Sequence, residues 1–278
     1  MIQKIENLLH SGTLSNIELA ILMNDCLTLG YDFSPYEELF NYFLMKDSFH
    51  YYKQYVSLAQ KIQKLQAIVV IKFRGLKINA FPKGILLLPQ IETIDLGNNN
   101  ISHIPEEIGN MRNLQKLSLF SNKIRKIPKS IGQIESLREL SLHHNLLTNI
   151  PESISQLKNL EKLSVYANQL EELPNNLGSL KNLKKIFLQY NQLSQLPESI
   201  CDLSKLSTLC IQHNQLKKLP QKIGILPSLS DLQFDYNELM TIPESIIQSK
   251  TLKKLKFNDN PIEESQLLQI QEAFGPLL

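Results

Sequence analysis

The residues best suited to chemistry in this chain are three histidines and a row of serines that accompanies two of them. Neighbouring histidines could bind zinc, and a histidine beside a serine could activate the serine hydroxyl as a nucleophile. The histidines are His143, His144 and His213, and the serines are Ser118, Ser141 and Ser164. A metal site and a hydrolytic site are therefore the first functions to weigh.

Spacing argues against both kinds of site. His143 and His144 are consecutive, so on a strand at most one of them points squarely out of the sheet. The serines are 23 residues apart, and at that repeat length His213 lies three strands away, about 14 Å at the usual strand spacing. Zinc ligands sit ~2 Å from the metal, and repetition explains the serine row without a nucleophile. Because the glycines are isolated, they form no phosphate loop, and we expect no enzyme, metal or cofactor.

The charge balance bears on the class of partner. The 278 residues include 29 lysines and arginines and 27 aspartates and glutamates, a net charge of +2. This balance is too near neutral to predict binding to nucleic acid or to a membrane surface. No stretch reaches the ~18 apolar residues that a membrane span needs. A protein partner is therefore the expectation, with no nucleic acid and no membrane insertion.

The cysteines and the first residues bear on localisation. Cys26, Cys201 and Cys210 are an odd and sparse set, which is typical of a reducing compartment. The start, MIQKIENLLHSG, carries Glu6 and has no signal-peptide core. We predict a cytoplasmic protein, with export by a route without a cleaved signal peptide as the alternative. Cys210 falls at an outward strand position, where either a reactive thiol or a plain small residue would fit.

An asparagine recurs every 23 residues through most of the chain. Its copies are Asn99, Asn122, Asn145, Asn168, Asn191, Asn214, Asn237 and Asn260. Around it, apolar residues first alternate, as Leu117 and Leu119 do, and are then spaced more widely, as Ile124, Ile127 and Ile131 are. The first pattern predicts a half-buried strand, and the second predicts an arc of turns folded back onto it. A repeat of this length predicts stacked units, in which the asparagine amides form a structural ladder.

The repeat resembles the leucine-rich repeat pattern LxxLxLxxNxLxxLPxxIxxLxx. The runs LQKLSLFSNKIRKIPKSIGQIES, LRELSLHHNLLTNIPESISQLKN and LKKIFLQYNQLSQLPESICDLSK follow it, and the match covers residues 68–262. The LPxxI segment is similar to the intracellular class that includes bacterial and plant Ras-group-related leucine-rich repeat proteins. The resemblance implies an α/β, right-handed solenoid with a curved parallel sheet on the concave face, short helical turns on the convex face, and protein binding.

Three regions are expected along the chain: a helical N-terminal cap over 1–66, about nine repeats over 67–262, and a C-terminal capping helix over 263–278. The cap should be all α, and its helices are expected near 2–10, 15–29, 35–46 and 49–65. Ser34 and Glu37 form a capping box for the third of these helices. The cap either covers the end of the solenoid or is a separate docking or dimerisation module. The first repeat, with Leu76 at the asparagine position, and the last are atypical, as terminal repeats usually are.

The outward side of the strands is where function is expected. Equivalent residues of successive repeats form rows there, and large side chains gather over the middle repeats. Aromatic residues, Tyr in particular, are enriched at interaction hot spots. The predicted partner-binding residues are Phe120, His143, His144, Tyr166, Phe187, Gln189, Tyr190, His213 and Tyr236. The alternative is that these rings only pack on one another along the ladder. Charges flank them, with Lys72 and Arg74 at one end and Asp231, Asp235 and Asp259 at the other, which predicts an electrostatic gradient.

These patterns favour a non-catalytic protein-interaction module, a scaffold or regulator that binds its partner on the concave sheet. Two alternatives stay open. One is an effector that acts on proteins of a host or neighbouring cell. The other is a small-molecule or glycan sensor with a pocket among Tyr166, Phe187 and Tyr190. A monomer is favoured, and the sequence does not name the partner.

Overall fold

The computed structural model describes residues 32–45 and 57–275. The helices expected near 2–10 and 15–29 lie outside the described residues, as does Cys26. The first part of the helix expected near 49–65 also lies outside them. All of the repeats expected over 67–262 lie within them.

Two helices of the described residues precede the repeats: α1, Ser34–Met45, and α2, Leu58–Gln66. The start of α2 is at residue 58 rather than 49, because Ser57 has an extended backbone and caps the helix. The Ser57 hydroxyl accepts the backbone N–H of Gln60, and the Gln60 side chain accepts that of Ser57, both at 3.2 Å. This capping box was missed in the sequence.

The capping box predicted for α1 was wrong. The carboxylate of Asp32 accepts the backbone N–H of Ser34 at 2.8 Å, which is the donor that the Glu37 side chain was expected to bind. Glu37 instead lies 3.7 Å from the ammonium of Lys61 in α2. The hydrogen bonds from Ser34 lower the pKa of the Asp32 carboxyl. A carboxylate two residues upstream thus satisfies the start of α1.

Both helices pack against the first repeat. Tyr36 of α1 and Ile62 of α2 are fully buried in the same hydrophobic cluster as the repeats. A Cβ atom at Gly84 would lie 2.2 Å from the backbone oxygen of Pro35. The close approach of α1 to the 3-10 helix Lys83–Leu87 therefore needs a glycine at this point.

Within the described residues, nine parallel strands form a single sheet in chain order. Each strand is three residues long, and each residue pairs with its equivalent in the next repeat, as Leu117 does with Leu140. Strands β1 to β9 are Val70–Lys72, Thr93–Asp95, Lys116–Ser118, Glu139–Ser141, Lys162–Ser164, Lys185–Phe187, Thr208–Cys210, Asp231–Gln233 and Lys254–Lys256. The parallel sheet and the repeating coils confirm the predicted fold class.

The apolar positions of the repeats form one continuous core. In the third repeat, Leu117 and Leu119 are 1% and 0% exposed, and Ile131 on the return side is fully buried. Lys116 and Ser118 flank Leu117 and are not buried, as the alternation along a strand requires. Because the buried side chains of all repeats belong to one cluster, each coil is stabilised mainly by its neighbours.

The return side of most repeats is a short 3-10 helix that follows a proline. Pro128 has a φ of −65° and is the N-cap of Lys129–Gln133, and its backbone oxygen accepts the N–H of Ile131 at 3.1 Å. Further 3-10 helices are Glu106–Asn110, Glu152–Gln156, Leu177–Ser179, Glu198–Asp202 and Ile223–Ile225. In the eighth repeat this turn is a short α-helix, α3, Glu244–Ile247.

A helix closes the last coil, as the apolar spacing after Asn260 predicts. This helix, α4, is Glu264–Phe274, and its Ile270 and Phe274 are buried. The side-chain amide of Gln266 accepts the backbone N–H of Ile242 at 2.9 Å and donates to the Ile242 oxygen at 3.2 Å. These contacts attach α4 to the eighth repeat.

The asparagine side chains bind the backbone of two successive repeats. Asn145 donates through Nδ2 to the backbone oxygens of Leu119 and Leu142, each at 3.0 Å, and accepts through Oδ1 the N–H of Ile124 at 2.9 Å. The equivalent bonds are present at every asparagine from 99 to 260. Each amide therefore holds a strand exit against the preceding repeat.

The residue before each of these asparagines has a left-handed backbone. From Asn98 to Asp259 the φ at this position lies between 50° and 56°, a region that residues with side chains seldom adopt. In the first repeat the position is Gly75, with a φ of 73°. Leu76 replaces the asparagine there, and the ladder begins with Asn99, whose amide reaches the Phe73 oxygen at 2.7 Å.

Candidate protein-interaction surface

Four rows of side chains form what we call the open face of the sheet. In chain order, the first and second rows are the two outward residues of each strand, such as Lys116 and Ser118. The third and fourth rows lie two positions and one position before each ladder asparagine, such as His143 and His144. Contacts link these rows: Ser141 Oγ lies 3.0 Å from His143 Nδ1, and the His143 and His144 rings meet edge to face.

The third row carries a stack of rings that we call the first ring column: Phe120, His143 and Tyr166. The ring centroids of Phe120 and His143 are 4.8 Å apart, those of His143 and Tyr166 are 4.4 Å apart, and the planes are within 10° of parallel. The Arg74 guanidinium lies 4.7 Å from the centre of the Phe120 ring. A Cβ at Gly97 would lie 2.2 Å from that ring, so the small residue makes room for it.

The fourth row carries the second ring column: Tyr190, His213 and Tyr236. Both of its neighbouring pairs have centroids 4.2 Å apart, with planes 11° and 9° from parallel. Tyr190 and Tyr236 remain 56% and 50% exposed. The phenol of Tyr236 hydrogen-bonds to the Asp259 carboxylate, which raises the pKa of this tyrosine. Stacking therefore covers ring faces, while ring edges and hydroxyl groups face solvent.

His143 is held inside the first ring column. Besides Ser141, its Nδ1 has Ser164 Oγ at 3.4 Å. Burial, followed by the nearby His144 and Lys162, lowers the pKa of His143 from 6.5 to about 4. The imidazole is therefore neutral at neutral pH.

A serine hydroxyl beside a neutral histidine also raises the question of catalysis again. A hydrolytic site needs a third group that orients the histidine, yet in the described part of the chain no carboxylate hydrogen-bonds to His143. Its two ring faces lie against Phe120 and Tyr166. Across residues 32–45 and 57–275, no group of three or more histidine, cysteine, aspartate or glutamate side chains is placed to hold a metal ion. The arrangement is that of a stacked ring with a polar neighbour.

The lowered pKa of His143 predicts that acid destabilises the fold. Between pH 6.5 and about 4 the unfolded chain binds a proton that folded His143 does not, so the free energy of unfolding falls as the pH decreases through that range. Because His143 is only partly buried, we expect about 1 kcal/mol between pH 7 and pH 5. Urea unfolding of the native chain and of His143→Phe, which keeps a ring in the column, measures the difference. An equal loss in both proteins would contradict the prediction.

Phe187 lies in the second row, between Ser164 and Cys210 in the strand register. The Lys162 ammonium is 5.6 Å from the centre of its ring. Cys210 points to the open face as predicted but is only 4% exposed. Burial, with Asp231 nearby, raises the pKa of the Cys210 thiol to about 11. A reactive thiol at this position is therefore ruled out in favour of a small packing residue.

A strip of amide side chains lies beside the second ring column. Gln212 donates to the Gln233 side chain at 2.6 Å, and Gln233 donates to the Asp231 carboxylate at 2.7 Å. The side-chain oxygens of Gln189 and Gln212 are buried and accept no hydrogen bond within the described residues. Buried acceptors without a donor are uncommon in folded proteins, so this strip has unused hydrogen-bonding capacity.

The charges expected to form a gradient are largely paired. Arg74 lies 2.8 Å from Asp95, and Asp231 lies 3.5 Å from Lys254. Asp235 is buried, with its carboxylate accepting the N–H of Asn258 at 3.1 Å. Pairing of this kind weakens the field over the open face, so the predicted gradient is smaller than the residue types alone indicated.

Apart from Asp231, the first row was missed in the sequence, although the period of two along each strand places it on the open face. It contributes mostly charged side chains to the surface. Lys116 and Glu139 form an ion pair at 2.8 Å. The row also includes Lys162, over the Phe187 ring, and Lys185 at the start of β6. A partner on the open face would meet these lysines together with the rings.

No helix in the described part of the chain has both the length and the apolar character needed to cross a membrane.

Comparisons with known proteins place the fold among its relatives. The family model for the leucine rich repeat matches residues 74–124, 112–170 and 159–216. A leucine-rich repeat protein of Leptospira interrogans has a solved structure that is 31% identical, with a TM-score of 0.74, and the match covers 80% of this chain and 56% of that one.

Two further solved structures have the same architecture. The plant peptide hormone receptor RGFR1, in complex with RGF2, is 30% identical over 69% of this chain and 36% of its own, with a TM-score of 0.56. The functional domain of InlJ from Listeria monocytogenes, at 18% identity, matches 76% of this chain and 48% of its own with a TM-score of 0.60, which shows the fold alone. This chain thus spans between 36% and 56% of these three proteins. With half of its length matched by the family model and its strands, turns and asparagine ladder in register, the chain belongs to the leucine-rich repeat family.

Proposed function

We propose that this chain is a non-catalytic protein-interaction module, a scaffold or regulator whose partner binds the open face. The observation that supports this most directly is the pair of ring columns. Tyr190 and Tyr236 are half exposed although each is stacked on His213. Tyrosine offers apolar area and a hydroxyl group in one side chain with few rotatable bonds, which is why it is common at interaction hot spots.

Stacking and partner binding are compatible roles for the same rings. The columns contain residues from successive repeats, so each ring is held in one orientation by its neighbours. A surface that is already ordered loses less conformational freedom when a partner binds. The packing of the rings on one another therefore supports binding by presenting their edges in a fixed array.

The geometry favours a protein partner over a glycan. Sugar rings and other flat ligands bind best to free aromatic faces, whereas most ring faces of the two columns lie against the next ring and only end rings such as Tyr190 keep a free face. The exposed groups are ring edges, hydroxyl groups and the lysines of the first row, which suit the mixed surface of a protein. The plant receptor RGFR1, whose structure holds RGF2, is a relative that binds a peptide.

Cytoplasmic localisation and a monomeric state are part of the same proposal. Cys201 and Cys210 are free thiols in the structure, and burial raises the pKa of each to about 11. Free cysteines suit a reducing compartment. An effector role in a host or neighbouring cell is the alternative, and the identity of the captured partner separates the two.

Removing two rings from the open face should abolish partner binding without unfolding the chain. In Phe187→Ala with Tyr190→Ala, both changes lie outside the core, so the melting temperature should change little while the captured partner is lost from the pull-down. The measurement is affinity capture from source-cell lysate with mass spectrometry, with circular dichroism as the check on folding.

A second double variant is the matched control. Ile225→Ala with Met240→Ala removes two apolar side chains that are each 62% exposed and lie outside the rows of the open face. This variant should retain the partner. If both double variants capture it equally, the open face is not the binding surface.

A further inference from the structure

A gap interrupts the fourth row of the open face. The row reads His144, Ala167 and Tyr190 in three successive repeats, and all three residues have a φ between 52° and 56°. Their side chains therefore leave equivalent backbone positions. Neighbouring strands are about 4.8 Å apart, so His144 and Tyr190 are separated by roughly 10 Å with only a methyl group between them.

The gap has an aromatic wall. One face of the Tyr190 ring lies against His213, with centroids 4.2 Å apart, and the other face is directed toward Ala167. Tyr190 is still 56% exposed, and Ala167 is half-buried. On the opposite side, His144 stands nearly perpendicular to Tyr166, 5.2 Å from it. A flat group above Ala167 would lie about 4.8 Å from the Tyr190 ring, close to the spacing within the columns.

Two other rings of the open face lie against cations of the chain itself. The Arg74 guanidinium caps the end of the first ring column at Phe120, at 4.7 Å, and the Lys162 ammonium lies 5.6 Å from Phe187. Within the described residues, the Tyr190 face over Ala167 has no such cation. Aromatic faces are electron-rich and attract cations, so Tyr190 is an end ring without the cation that Phe120 has.

Arginine is the side chain that fits the gap. Its guanidinium is flat, stacks on aromatic rings and offers five N–H donors. Of the first-row lysines, Lys162 places its ammonium over the Phe187 ring rather than over Tyr190.

We propose that the slot between His144 and Tyr190, with Ala167 as its floor, receives an arginine side chain of the protein partner. This inference rests on the proposed function of the open face as a partner-binding surface. In this arrangement the partner's arginine would lie against the Tyr190 ring as Arg74 of the chain lies against the Phe120 ring.

The test uses short random peptides displayed on phage, selected on the native chain and counter-selected on Ala167→Tyr. The variant fills the slot with a ring, and tyrosine is compatible with this backbone because Tyr190 and Tyr236 adopt it. The selected peptides should share one arginine. Replacing that arginine with citrulline, a neutral group of the same shape, should weaken binding to the native chain roughly tenfold.

Other outcomes overturn the inference. Selected peptides without a shared arginine, peptides that bind Ala167→Tyr equally, or a citrulline peptide of unchanged affinity each contradict it, as does a selection that yields no peptide specific for the native chain. Pull-downs distinguish a slot that receives no arginine from an open face that binds no partner at all. A partner lost with Phe187→Ala, Tyr190→Ala but retained by Ala167→Tyr shows that the face binds and the slot does not.

Discussion

Asn145→Leu is expected to lower the free energy of unfolding by about 3 kcal/mol or more. The asparagine is 6% exposed, and its amide is a partner of the Leu119 and Leu142 oxygens and of the Ile124 N–H. Leucine can replace none of these bonds, and each buried polar group left without a partner costs about 1–3 kcal/mol. Urea unfolding followed by circular dichroism measures the loss.

Asn149→Leu is the control for this substitution, because it makes the same change at an exposed asparagine four residues along the chain. It should alter the free energy of unfolding by less than about 0.5 kcal/mol. Asn145→Asp provides a second comparison, since aspartate keeps an acceptor for Ile124 and loses the donor. If Asn145→Leu is as stable as Asn149→Leu, the ladder hydrogen bonds do not stabilise the solenoid.

Gly224→Ala is expected to destabilise the junction of the seventh and eighth repeats by about 1–3 kcal/mol. A Cβ at this position would lie 2.1 Å from the backbone oxygen of Ser245 and 2.4 Å from the backbone nitrogen of Ile246. Both are backbone atoms next to or within α3, so relief requires the two coils to move apart. Ser155 and Cys201 occupy the equivalent position in other repeats, whereas a Cβ at Gly178 would also lie 2.1 Å from a backbone oxygen, that of Ser199, so the cost depends on how closely the next coil approaches.

Two measurements locate this effect. Urea unfolding gives its size, and hydrogen exchange should show faster exchange in the repeats on either side of residue 224, because coils of a solenoid contact only their neighbours. Gly275→Ala is the control, since a Cβ there would meet no atom within 4 Å. A Gly224→Ala protein with native stability and native exchange would show that the coils separate at no cost.

The proposed binding through the ring columns would place a limit on the partner. The column edges present ring carbons, imidazole nitrogens and tyrosine hydroxyl groups along the stacking direction, and the amide strip runs beside them. A partner on this surface would have to supply hydrogen-bonding groups as well as apolar area, so that the hydroxyl and imidazole groups it covers are not left unpaired. An extended segment or a helix lying along the repeats satisfies this better than a small apolar ligand.

The asparagine repeat and the apolar spacing around it determined the architecture of the repeats. A residue that recurs every 23 positions must occupy the same place in each stacked coil, so strand pairing, register and the inward positions such as Leu117 followed from the sequence. The ends were less predictable. Helix α2 begins where Ser57 and Gln60 form a capping box, and the first N–H of α1 is accepted by Asp32. Several polar residues near each helix start could act as the cap, so the sequence did not single out the right one.

The tertiary structure decided how the outward side chains are arranged. Sequence places His143 and Cys210 on the open face, but whether such a side chain is stacked, buried or exposed depends on the residues at the same position in the repeats before and after it. That neighbourhood lowers the pKa of His143, buries Cys210 and leaves Ala167 as a gap in a row of larger residues. The repeat in the sequence determines which residues lie on the open face. Contacts between neighbouring coils determine how those side chains are oriented, which charges are paired and which groups solvent can reach.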